Sequence, residues 1–262
     1  MPDALFAPED GCYRPSELAR GPWSPEALHG GPVAALLAHL ADGAEAPGPM
    51  HPTRLTIELL RPVPLAPLRP AVRIVRPGRK VQLVESSLFA GDVEVARCTL
   101  LRLRRAPIPI PDDARGGEVA PPAGPAHAVA LAAPWRGASP AYHSSATEHR
   151  VLRGAWSEPG PCTDWIRVRV PLLPGVPLAP LARVAAVADF GNGIGAALPY
   201  DRFTFLNADL TLQLHRLPAG EWICLDATTW PEPDGIAVAE SALFDERGRI
   251  GRALQSLLVE KR

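Results

Sequence analysis

Lysine is nearly missing from this chain: among 27 basic residues only Lys80 and Lys261 are lysine, and the rest are arginine. With 32 prolines and abundant alanine, that skew reflects coding composition more than function. No charge of one sign dominates either. A formal net charge of −1 gives no electrostatic footprint for nucleic acid or an anionic membrane surface. Cysteine is scarce and scattered: Cys12, Cys98, Cys162 and Cys224 lie far apart, with no CxxC or Cys/His cluster. That excludes a zinc-finger pattern and argues against a secreted disulfide scaffold. No apolar run approaches the ~20 residues that span a bilayer. The opening "MPDALFAPEDGC" has neither a basic start nor an apolar h-region, so a cytoplasmic protein is expected. Common hydrolase signatures are missing too. There is no GxSxG elbow (the nearest, "GASPA" at 137–141, has proline after serine) and no HExxH or paired-histidine motif. Neither a metal nor a cofactor is expected.

What is present is apolar and repeated. Apolar residues make up 47% of the 262, with a mean hydropathy of +0.02. That is enough for one large domain or two ordinary ones. "RLTIELLR" at 54–61 returns as "DLTLQLHR" at 209–216, with Leu, Thr, Leu and Arg in the same four places. The repeat extends further. "HGGPVAALLAHLADG" precedes strand-like runs at 53–61, 69–77, 80–90 and 92–104. In the second half, runs at 146–156 and 162–170 lead to "PLAPLARVAAVADFGNG". Runs at 204–216, 221–230, 236–245 and 249–260 follow. Between the halves, 105–140 carries eight prolines and little periodicity, and reads as a surface linker. The expected division is therefore 1–104, 105–140 and 141–262.

Each half has one helical pattern, and both patterns are apolar nearly all round. Val33 to Leu40 leaves no polar stripe before His39, and Leu181 to Ala188 leaves only Arg183. A helix apolar on every side must be buried on every side. Pro32 and Pro180 suit a first helical turn, and Gly43 and Gly191 can end the helices. The expected fold class is α+β: a curved antiparallel sheet wrapped around one central apolar helix, twice.

The order of "HGGPVAALL", "PTRLTIELLRPVP", "GRKVQLVESSLFAGDVEVARCT", "ADFGNG", "LTLQLHR" and "GRALQSLLVEKR" resembles the double-hotdog acyl-CoA thioesterases, the family of bacterial thioesterase II and its relatives. The resemblance covers nearly the whole chain outside the linker. It implies two tandem hotdog domains and hydrolysis of acyl-CoA thioesters. It also implies a site in the second half only: an Asp at the end of the central helix, a Thr or Ser on the next strand and a Gln on the last. These fall on Asp189, Thr211 and Gln255, which would order and activate a water. The first half keeps Asp42 and Thr56 at the repeat-equivalent places but has Cys98 in place of Gln255, as expected of a degenerate copy.

Residue by residue, Asp189 follows an apolar helix at its C-terminal end, a place suited to general-base work on water. Its bland reading is a solvated Asp in a Gly-rich loop. Thr211 has β-propensity as its bland reading. Gln255, between apolar neighbours on a terminal strand, needs hydrogen-bond partners. Gly30 and Gly31 let a substrate approach the first helix's N-terminus, where free N–H groups can bind an anion. His29, just before them, reads as a cap or packing residue. "GNGIG" at 191–195 imitates a dinucleotide loop, but it follows a helix and opens none. The expected activity is fatty acyl-CoA hydrolysis, in a homo-oligomer of two or more copies that binds neither nucleic acid nor membrane. The alternative is a non-hydrolytic acyl-CoA or lipid-binding protein. A hydratase would need Asp and His on one segment, and none is found.

Overall fold

The computed structural model describes residues 3–114, 120–131 and 140–262. A two-strand hairpin opens it, β1 (Phe6–Glu9) and β2 (Cys12–Pro15). They are joined through Asp10 and Gly11 at φ 47° and 77°, a turn that needs left-handed residues. Helix α1 (Gly30–Asp42) follows, then β3 (Met50–Leu59), β4 (Arg69–Arg76), β5 (Val81–Ala90) and β6 (Val93–Arg104). Next come β7 (Val129–Leu131), β8 (Thr147–Arg153), β9 (Cys162–Val168), α2 (Pro180–Ala188) and the single turn α3 (Gly191–Ile194). The chain closes with β10 (Phe203–Asn207), β11 (Asp209–Leu214), β12 (Ile223–Pro231), β13 (Ile236–Asp245) and β14 (Gly248–Lys261).

Twelve of these strands form one antiparallel sheet in the order β4-β5-β6-β3-β11-β14-β13-β12-β9-β8-β7, with β10 also on β14. The two copies of the repeated strand are direct neighbours at its middle. Thr56 of β3 faces Thr211 of β11, with Leu55 opposite Leu212 and Ile57 opposite Leu210. The sequence repeat thus becomes a pairing at the junction of the two halves.

Helix α1 is buried along nearly its whole length, with Val33, Leu36 and Leu37 fully inaccessible. It packs on β3, β5 and β6, and on α2. Burying each of these side chains contributes about 1.5–3 kcal/mol. Pro180 opens α2, as expected, and Gly43 caps α1. Three expectations need correcting. The proline-rich stretch is not wholly irregular, because Val129–Leu131 pairs with Val151–His149 as an edge strand. Gly191 does not end α2; Asp189 caps it, and Gly191 starts α3. The run expected at 204–216 is two strands, broken at Ala208, whose N–H bonds to Ser256 C=O at 3.0 Å. That break resets the inside–outside alternation, with consequences for the site.

Candidate active site

Asp189 ends α2 in the αR region and is only 5% exposed. Its Oδ1 accepts from Asn207 Nδ2 at 2.9 Å, and its Oδ2 lies 2.9 Å from His29 Nδ1. Gly30, the first residue of α1, closes the third side. A Cβ there would lie 2.6 Å from both carboxylate oxygens, so only glycine leaves room. The carboxylate thus sits at the C-terminus of α2 and the N-terminus of α1. The positive end of the thirteen-residue α1 favours its charge, and the negative end of α2 opposes it. Gly31 serves a different purpose: its missing Cβ lets α1 approach Ala186 C=O and Tyr142.

Gln255 is buried beneath Asp189 but reaches its main chain rather than its carboxylate. Gln255 Nε2 donates to Asp189 C=O at 3.3 Å, and Oε1 accepts from Asn192 N–H at 2.9 Å. It therefore fixes the α2–α3 corner on which Asp189 stands. Thr211 is not part of this group. It pairs with Leu254, the exposed neighbour of Gln255 on β14, so its hydroxyl shares the outer face of the sheet. Strand alternation requires this once the break at Ala208 is counted: Phe205 is buried before it, and Leu210, Leu212 and Leu214 after it. Asn207, on the near side of the break, takes the place expected of Thr211. Its position beside an Asx- and Ala-containing break, "NAD", is the sequence signal that could have found it.

Aromatic rings wall the site. The His29 ring centroid is 5.0 Å from Tyr142 and 4.8 Å from Phe190, and Phe190 also touches His149 at 5.0 Å. Burial pushes the Tyr142 phenol well above its ordinary value, with the Asp189 charge adding to it, so Tyr142 is a neutral donor, to Ala186 C=O at 3.0 Å. Behind Phe190 lies a second buried network. His149 Nδ1 is 2.8 Å from Asp164 Oδ2, His149 Nε2 is 2.9 Å from Thr147 Oγ1, and Trp156 Nε1 donates to Asp164. No signal in the sequence singled it out. Trp156 also lines a cleft of about 320 Å³ with Ile194, Leu198 and Tyr200, so a row of rings leads from His29 to that cleft. Among the described residues no group of three His, Cys, Asp or Glu is arranged to hold a metal.

Residues 19–103 match a family model described as the acyl-CoA thioesterase N-terminal domain, and 118–259 match its C-terminal counterpart. No curated protein matches the sequence. Among solved structures, a conserved protein of unknown function with a hot dog fold from Alicyclobacillus acidocaldarius is similar at 18% identity and a TM-score of 0.72, covering 99% of this chain and 97% of that one. An acyl-CoA thioesterase II, TesB2, from Mycobacterium marinum is similar at 16% identity and a TM-score of 0.68, covering 97% and 93%. These likenesses establish the hot dog fold.

Proposed function

Because the chain belongs to the acyl-CoA thioesterase family, matched by models of both of its domains, we propose that it hydrolyses a fatty acyl-CoA to the free acid and CoA. We read the chain as two tandem hotdog units, 1–104 and 141–262, joined through 105–140, each built around its apolar helix. The observation that carries the activity is the buried Asp189 carboxylate, held by Asn207 against the N-terminus of α1. In this reading Asp189 takes a proton from water as the water oxygen attacks the thioester carbonyl. First-turn N–H groups of α1, which have no intrahelical partner, receive the developing oxyanion at Gly30 and Gly31. The tetrahedral intermediate then expels CoA thiolate, which takes up the proton. Gln255 acts by holding the corner that carries Asp189. No covalent enzyme intermediate is needed.

The test is release of CoA thiol from a panel of acyl-CoAs. Asp189→Ala is expected to lose most of the activity while still folding, and undiminished turnover in that variant would sink the mechanism. One observation favours the second reading, acyl-CoA binding without hydrolysis: both Asp189 oxygens already have partners. Tight binding with no thiol release at any chain length would establish it. No helix of the described residues is long and apolar enough to cross a membrane. We read the protein as cytoplasmic and homo-oligomeric. Exposed Trp230, Ile236, Val238 and Leu258 on the outer sheet face support the second point, which light scattering would check.

A further inference from the structure

His29 Nδ1 has two neighbours and one position for a proton. It lies 3.0 Å from the Gly31 nitrogen and 2.9 Å from Asp189 Oδ2. An imidazole nitrogen is either protonated and donates, or bare and accepts. Bare, Nδ1 accepts from Gly31 N–H and caps α1, but its lone pair then faces the carboxylate with no proton between them. Protonated, it donates to Asp189, and Gly31 N–H loses its cap. The ring cannot turn away to satisfy both. Tyr142 and Phe190 hold its faces, and His29 N–H is anchored to Ala19 C=O at 2.9 Å.

We propose that Asp189 and Gly31 compete for His29 Nδ1, and that the ionised carboxylate wins and uncaps Gly31 N–H as an anion donor. A charge-assisted hydrogen bond is roughly twice as strong as a neutral one, which decides the competition. The use of this device rests on the thioesterase reading. The state in which Asp189 can accept a proton from water is then the state in which the α1 N-terminus can accept a carbonyl oxygen. His29 is a positioning residue here: it acts through Asp189 and Gly31.

The test needs no substrate. In ¹⁵N-labelled protein at pH 8, where an ordinary histidine is neutral, the His29 ring nitrogens report the tautomer and Gly31 amide exchange reports the cap. The wild type is expected to carry the proton on Nδ1 and to exchange Gly31 readily. In Asp189→Ala the proton moves to Nε2, and Gly31 exchange slows by roughly five- to tenfold, the scale of one capping bond. In His29→Asn, which caps through its side-chain carbonyl and keeps Asp189, Gly31 exchange slows likewise. An Nε2–H tautomer with a protected Gly31 in the wild type overturns the proposal. So does an unchanged exchange rate in His29→Asn, should Asp189→Ala not fold. A protein that shows the competition yet releases no CoA fails only the thioesterase reading.

Discussion

Gly30 and Asn207 decide where the Asp189 carboxylate sits, one by having no side chain and the other by donating to it. Asn207→Ala removes that donor, and kcat is expected to fall roughly tenfold or more, as for other losses of positioning. Thr211→Val is expected to leave kcat within about twofold, because the hydroxyl faces away from the site; steady-state kinetics on the two variants compares them directly. Gln255→Ala is expected to cost roughly tenfold through the loosened α2–α3 corner. Asp189 and Gln255 were singled out through the resemblance and Gly30 through its place at a helix start, and the structure brings the three close together. Thr211, placed in the site by the resemblance, lies on the outer face because the break at Ala208 resets the strand alternation. His29 was read as a cap or packing residue, and its ring does lie within reach of Gly31 N–H; its approach to Asp189 was hidden because the two lie on different halves of the chain.

Among elements, the β13–β14 hairpin is fixed by one buried carboxylate. Asp245 is inaccessible to solvent and accepts from Arg216, Ala219 N–H and Arg247 N–H, while Arg216 also bonds to Gly248 C=O at 2.8 Å. Burial alone would raise the Asp245 carboxyl, but the Arg216 guanidinium and the two backbone donors hold it below its ordinary value. A lowered carboxyl contributes stability above its unfolded pKa and loses it as pH falls through the folded value. Arg216→Met should therefore destabilise the protein by about 2–3 kcal/mol at neutral pH. Urea unfolding at several pH values should show the gap between wild type and variant closing below roughly pH 4. Most strands were readable from alternation, most often because one face lies on the core; β4 is the exception, with its alternating Val72 and Ile74 exposed. The β1–β2 hairpin was passed over although its Asp-Gly turn is printed in the chain, since strands of four residues show too little periodicity. Strand β7 escaped because prolines surround it.

At the scale of the whole molecule, the two halves are alike in outline and unlike in chemistry. Where Asp189 is left to Asn207 and His29, Asp42 is tied to Arg102, which also binds Ala41 C=O and Ala44 C=O. Cys98 is occupied with Ser86 at 3.1 Å, and burial pushes its thiol up to about 11, with Ser86 only partly offsetting it. Helix α2 begins with Pro180, which has no N–H to offer an anion, where α1 begins with two glycines. Cys98→Ala and Thr56→Val are thus expected to leave acyl-CoA hydrolysis nearly intact. Titration with a tight-binding product analogue should count one site per chain, and two would refute the asymmetry. The duplication was plain in the sequence; that the repeated strands would lie side by side was not, because a repeat says nothing of which edges meet. That pairing sets a schedule for synthesis. The backbone edge of β3 that Asp209–Gln213 covers emerges from the ribosome 155 residues before its partner. At 5–20 residues per second it waits roughly 8–30 s uncovered. An unpaired strand edge is a template for a neighbouring nascent chain, so slowing synthesis of the second half is expected to lower the soluble yield.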